Sequence, residues 1–184
     1  MRRFLLLLPL CVVTGCSSLD ISELFPKSEE TKTVYRPGGN AIRAFALSGT
    51  GSVEYMCTSD EKGTFYKFIN MDIVLKDKTR RTVGTILGKE QKIEYVDGSV
   101  ISSLEPVQWG PSESLHRNDS TLNDVLFVAH SSNSQNRGKA LTNIKYVTRS
   151  HTRGGLPKKL CNGESVGKNI EVPIYAEFIF WKVK

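Results

Sequence analysis

The pattern that most limits how this chain can fold is a period-two alternation of apolar and polar residues, recurring from residue 42 to the C-terminus. Its longest run is Ile170–Val183, where Val172, Ile174, Ala176, Phe178 and Phe180 share one face. Side chains of a strand point alternately to its two faces, so this spacing belongs to β structure. The opposite face carries Tyr175, Ile179 and Trp181, and a strand apolar on both faces sits centrally or closes a barrel. Shorter segments repeat the pattern: Ile42–Leu47, Val53–Cys57, Thr64–Ile69, Asp72–Lys76, Thr82–Leu87 with Lys92–Val96, Val100–Leu104, Val107–Trp109 and Ala140–Thr152. Turn residues separate them at Ser48–Gly51, Glu61–Gly63, Gly88–Glu90 and Asp97-Gly98. One stretch departs. Leu122, Val125, Leu126 and Ala129 recur at i, i+3, i+4 and i+7 behind Thr121 as an N-cap, which predicts a short helix over 122–130. The expected domain is all-β, a mostly antiparallel barrel or sandwich of about eight to ten strands with that one helix.

The first residues do not belong to this pattern. Arg2 and Arg3 precede an apolar run from Phe4 to Val13, which ends at Gly15-Cys16. A spanning helix needs about twenty apolar residues, and this run is half that, the length of an export signal. A small residue directly before a cysteine completes the likeness to a bacterial lipoprotein signal peptide. That likeness implies cleavage after residue 15 and acyl chains, palmitate among them, on Cys16. Ser17 in place of aspartate implies, by resemblance to enterobacterial lipoproteins, sorting to the outer membrane. Residues 16–39, with Pro26, Ser28–Lys32 and Pro37–Gly39, read as a lipidated tether, and residues 40–184 as one domain long enough for a full core. The expected location is the cell envelope, lipid-anchored in the outer membrane and facing the periplasm or the cell surface.

With Cys11 in the leader and Cys16 lipidated, Cys57 and Cys161 remain as a matched pair in an oxidising compartment. Pairing them closes a loop of about a hundred residues, worth roughly 4–5 kcal/mol in the chain-entropy model; the alternative is two buried free thiols. Neither cysteine has the spacing of a zinc ligand set, so no metal and no cofactor is expected. Losing Arg2 and Arg3 lowers the formal charge from +6 to +4. The positive residues are spread along the chain, with two small clusters at Lys76–Arg81 and Arg153–Lys159. In an envelope compartment this excludes nucleic acid and leaves an anionic glycan, a lipid headgroup or an envelope protein as partners beyond the membrane itself. The plainer account of both clusters is a solvated turn.

Certain blocks resemble an exported family known only as domain of unknown function 3455. They are Gly51–Cys57, Val83-Gly84, Asp97–Val100, Tyr146–Cys161 and Val172–Phe180. The resemblance spans residues 40–183 and supports the Cys57–Cys161 pairing; it implies no reaction. The family favours a histidine soon after Val-Gly and a Gly-Pro-x-Trp before Asp-Gly-Ser. Here Thr85–Val96 holds no His, Pro or Trp.

No catalytic motif follows. His116, His130 and His151 lack metal-binding spacing. Ser99, His151 and Asp97 could be drawn as a triad, but without the Gly-x-Ser-x-Gly elbow. The candidate ligand residues are therefore Asp97 and Ser99 in one turn, with Arg149, Thr152, Arg153, Gly154 and Gly155 in a basic, glycine-bearing loop whose amides could form an anion nest. Both loops are expected at the rim of one barrel mouth; Tyr95 and Trp109 could line a pocket, but large aromatics are more often core. The leading function is non-enzymatic, a ligand- or partner-binding envelope lipoprotein. The first alternative is a hydrolase of cell-wall or other carbohydrate, which would need two facing carboxylates from Asp72, Glu94, Asp97 and Glu105. The second is a structural or assembly factor of the envelope.

Overall fold

A computed structural model describes residues 36–109, 121–131 and 138–184. The leader, most of the tether, His116 and the side chain of Trp109 lie outside these residues. Among the described residues nine strands form one antiparallel sheet: β1 (Ala41–Asp60), β2 (Gly63–Lys76), β3 (Thr82–Leu87), β4 (Lys92–Tyr95), β5 (Val100–Ile101), β6 (Ser103–Trp109), β7 (Val125–His130), β8 (Ile144–Gly154) and β9 (Asn169–Val183). Their order is β5-β4-β3-β2-β1-β9-β8-β7-β6. Consecutive strands thus pair, except β5 with β6, and the first also pairs with the last. The two outer strands, β5 and β6, are separated by Ser102 alone. They form one interrupted strand that pairs with β4 before the break and with β7 after it. At the break the Ser102 amide donates to the His130 carbonyl (2.7 Å) and the Leu104 amide to the Glu90 carbonyl (3.0 Å). The result is a nearly closed up-and-down barrel, a closure that leaves few edges exposed.

Small barrels of this strand number are filled by side chains. Val53, Ile73, Leu75, Ile86, Ile93, Ile101, Val125, Phe127, Val147, Ala176, Phe178 and Phe180 are essentially fully buried and form the core. Val53, Tyr55 and Cys57 are buried as the alternation of β1 predicts, and the even-numbered residues of β9 from Ile170 to Phe180 point inward in the same way.

Three expectations change. The predicted helix over 122–130 is absent: residues 122–124 are irregular and Val125–His130 is β7. The run Val-Leu-Phe-Val-Ala is apolar on both faces, with Val125, Phe127 and Ala129 in the core and Leu126 buried opposite. Such a strand contains helical spacings by default, and its β-branched and aromatic residues favour extension. The single helical element described is a 3-10 turn, Gly163–Ser165, capped by Asn162. Secondly, Ser48–Gly51 is not a turn but the middle of the 20-residue β1. A Cβ on Gly51 would lie 1.9 Å from the Asp72 carbonyl oxygen, so its glycine serves close strand approach rather than reversal. Thirdly, Thr64–Ile69 and Asp72–Lys76 are one strand, β2, whose pairing with β1 slips at Glu54/Tyr55.

The register fixes two ends. Ala41 faces Val183 at the terminal end, and Asp60 faces Gly63 at the other. Cys57 and Cys161 form a disulfide, with sequence separation 104. It lies beside the β1–β2 hairpin, where Thr64 Oγ1 donates to the Cys161 carbonyl (2.8 Å). This is the disulfide end.

Candidate functional site

The candidate residues do not share one rim. Strand alternation puts the β4–β5 turn, with Asp97 and Ser99, at the terminal end, and the end of β8, with Thr152–Gly155, at the disulfide end.

At the terminal end the turn is structural. The Gly98 amide donates to the Tyr95 carbonyl (2.9 Å) and closes the reversal. Asp97 Oδ1 accepts from the Ser99 amide (2.9 Å) and hydroxyl (2.6 Å), and Oδ2 from the amides of Lys139 (2.8 Å) and Ala140 (2.9 Å). Ser99, fully buried, accepts in turn from the Leu141 amide (3.1 Å). One carboxylate therefore ties this turn to the β7–β8 connection. Partial burial pushes the Asp97 carboxyl up. The bonds from Ser99, Ala140 and Lys139 outweigh it and hold the group at about 2, below the ordinary 3.8. A carboxyl lowered on folding contributes stability above its unfolded value, and loses it as pH falls through the folded one. Asp97→Ala is therefore expected to lower the melting temperature by a few degrees at neutral pH, on the order of 1 kcal/mol. The gap to wild type should close between about pH 4 and pH 2. A gap that stays constant across that window in thermal melts would show that the carboxylate is not the tie.

The disulfide end is richer in buried polar groups. Tyr55 donates to the Gly155 carbonyl (2.6 Å). The segment 121–124 crosses to meet it: Thr121 bridges Gly155, and the Leu122 amide donates to the Gly154 carbonyl (2.9 Å). The Thr152 hydroxyl donates to Asp124 Oδ1 (3.2 Å). Beneath lies Arg149, only 4% exposed. Its Nη2 donates to the Asn123 carbonyl (3.0 Å), and its guanidinium lies 5.7 Å from the Phe127 ring centroid. Its Nε is buried without a partner. Burial pushes this guanidinium down to about 10, with Tyr55 and Asp124 pulling the other way, so it stays charged at neutral pH. Burial likewise pushes the Tyr55 hydroxyl up to about 12, against the pull of Arg149.

The neighbouring candidates divide. Arg153 is exposed and lies 5.8 Å from the Tyr175 ring centroid. Gly154 and Gly155 take φ of 73° and 87°, a region that favours glycine. The Gly155 amide donates to the Pro173 carbonyl (3.0 Å), which takes it out of any anion nest. Tyr95 is half-buried at the terminal end beside Phe45, with ring centroids 6.1 Å apart. No sequence motif marks Tyr55 or Asn123: strand alternation alone makes Tyr55 a core residue, and its hydroxyl finds its acceptor 100 residues away.

Among the described residues His130, His151, Glu94 and Glu105 have ion-pair partners, and Asp72 is exposed on β2. His130 meets Glu105 (3.0 Å), His151 meets Glu177 (3.0 Å), and Lys92 pairs with Glu94. The basic cluster 76–81 is a turn organised by Asp77, which accepts from Thr79 and Arg81. Among the described residues no group of acidic, cysteine or histidine side chains is placed to hold a metal ion.

Comparison with known proteins adds one finding. Residues 97–182 match a family model described as a protein of unknown function, DUF3455. No curated protein and no solved structure matches. The matched stretch includes the Asp97 turn, Arg149 and Cys161, while the resemblance at Gly51–Cys57 lies outside it. Over residues 97–182 the chain is similar to the DUF3455 family.

Proposed function

We propose that this protein is an exported, lipid-anchored component of the bacterial envelope, and that its barrel is a non-enzymatic binding module working through the disulfide end. The observation that carries the reading is the Cys57–Cys161 bond. Disulfides persist in oxidising compartments, which agrees with a leader ending at Gly15-Cys16. The bond also holds the β8–β9 connection against the β1–β2 hairpin, and the Gly167 amide adds a bond to the Cys57 carbonyl (2.8 Å). A loop fixed in this way on a filled barrel is a pre-organised surface, and loops on rigid scaffolds are where recognition concentrates. The carboxylates needed for glycoside hydrolysis do not favour the enzymatic alternative: Glu94 and Glu105 are engaged in surface pairs and Asp97 in its turn.

Cys16→Ser is expected to move the protein from the membrane fraction to the soluble fraction of cells, because the acyl chains, each contributing roughly 0.8 kcal/mol per buried methylene, are its attachment. Intact mass spectrometry of detergent-extracted protein should show a diacyl or triacyl mass on a chain beginning at Cys16. A full-length chain beginning at Met1, or a serine variant still held at the membrane, would overturn the proposal.

A further inference from the structure

We infer that the disulfide end takes the oxyanion of a small ligand, a carboxylate or phosphate group, on the Nε edge of Arg149; this rests on the binding-module reading and adds the chemistry of the ligand. The guanidinium is almost wholly buried, and its surroundings are unequal. Phe127 lies near it, Nη2 is taken by the Asn123 carbonyl, and Nε has no acceptor. Among the described residues no carboxylate lies within ion-pair distance of it. Asp124, the acidic group that acts on it electrostatically, accepts from Thr152 instead. The Tyr55 hydroxyl donates to the Gly155 carbonyl and does not reach Nε as an acceptor.

A buried donor left without an acceptor is unfavourable, and more so on a charged group. The planar fork of arginine is suited to two parallel bonds to an oxyanion. A carboxylate or phosphate oxygen on Nε would satisfy that donor, and displacing the Asn123 carbonyl from Nη2 would complete the fork. The ties of segment 121–124 to β8 set what must give: the Leu122–Gly154 bond and the Thr152–Asp124 bond lie directly beside that carbonyl. Asp124 also sets a preference, because its charge repels a dianion more than a monoanion.

The test is titration of the isotopically labelled, disulfide-intact protein with sodium acetate and with inorganic phosphate, at ionic strength held constant with chloride. The Nε–H resonance of Arg149, assigned through its own side chain in the wild-type protein, is followed by NMR. The expected result is a saturable shift of that resonance with a parallel rise in melting temperature. Arg149→Lys, which keeps the charge and removes the fork, should weaken binding about ten-fold or more. If that variant does not fold, the wild-type Nε signal alone decides. No shift, or a non-saturating drift shared with chloride, overturns the inference. If a neutral molecule co-purifies with native protein and the Nε signal ignores both anions, the binding module stands and this ligand class falls. If neither a co-purified molecule nor an anion response is found, both fall.

Discussion

Replacing Cys57 and Cys161 together by alanine lowers the melting temperature by about 10 °C. The expectation follows from the loop that the bond closes, with a sequence separation of 104. The chain-entropy model gives about 4–5 kcal/mol for such a loop, and removal of native disulfides from small secreted domains typically costs about 2–5 kcal/mol. For a domain of this size each kcal/mol moves the midpoint by about 2–4 °C. The remaining ties around the bond are few: Cys57 exchanges backbone bonds with Gly167 and Lys168, and Thr64 holds the Cys161 carbonyl. Their loosening adds local mobility in 155–168 without emptying the core. Calorimetry of wild type with and without reductant, beside the double variant, checks this. An unchanged midpoint in all three would mean that the crosslink does not constrain the unfolded chain.

Phe178→Ala is expected to cost about 3–5 kcal/mol, the range for truncating a buried phenylalanine. Phe178 is fully buried in β9. The ring fits against Gly49, where an added Cβ would lie 2.5 Å from Phe178 Cε2. A loss of this size is a large part of the 5–15 kcal/mol that holds a typical domain together. Tyr175 provides the contrast on the same strand. It is 39% exposed and lies near Arg153, so Tyr175→Ala should cost less than about 1 kcal/mol. Urea melts of the two variants measure the difference directly. Equal losses would mean that the two faces of β9 are not inside and outside as described.

These predictions also show how far the residues spoke for themselves. The alternation in β9 and around Tyr55 identified an all-β barrel because the period of a strand is local and each residue declares its face. The failures arise where one pattern serves two structures or where the cause is distant. Leu122, Val125, Leu126 and Ala129 mimic a helix because β7 is apolar on both sides. Gly51 looks like a turn because a glycine does not reveal that the Asp72 carbonyl will come close to it. Asp97 was legible as a turn residue, but its bonds to Lys139 and Ala140 span more than forty positions. Arg149 stands two residues after Val147, so it shares that residue's face of β8 and lies inside rather than in a surface cluster. The emptiness at its Nε depends on Phe127 and Asn123, which only the folded register brings to it.

Pairing of β1 with β9 has a kinetic consequence. Ala41 lies opposite Val183, so the ring of strands cannot be completed until nearly the last residue has joined the first. Contacts this far apart in sequence form slowly. On the export route proposed above, a chain that threads unfolded through a translocation pore gains from such an arrangement: until β9 has emerged, β1 has β2 beside it but not its other neighbour, and the barrel cannot shut too soon.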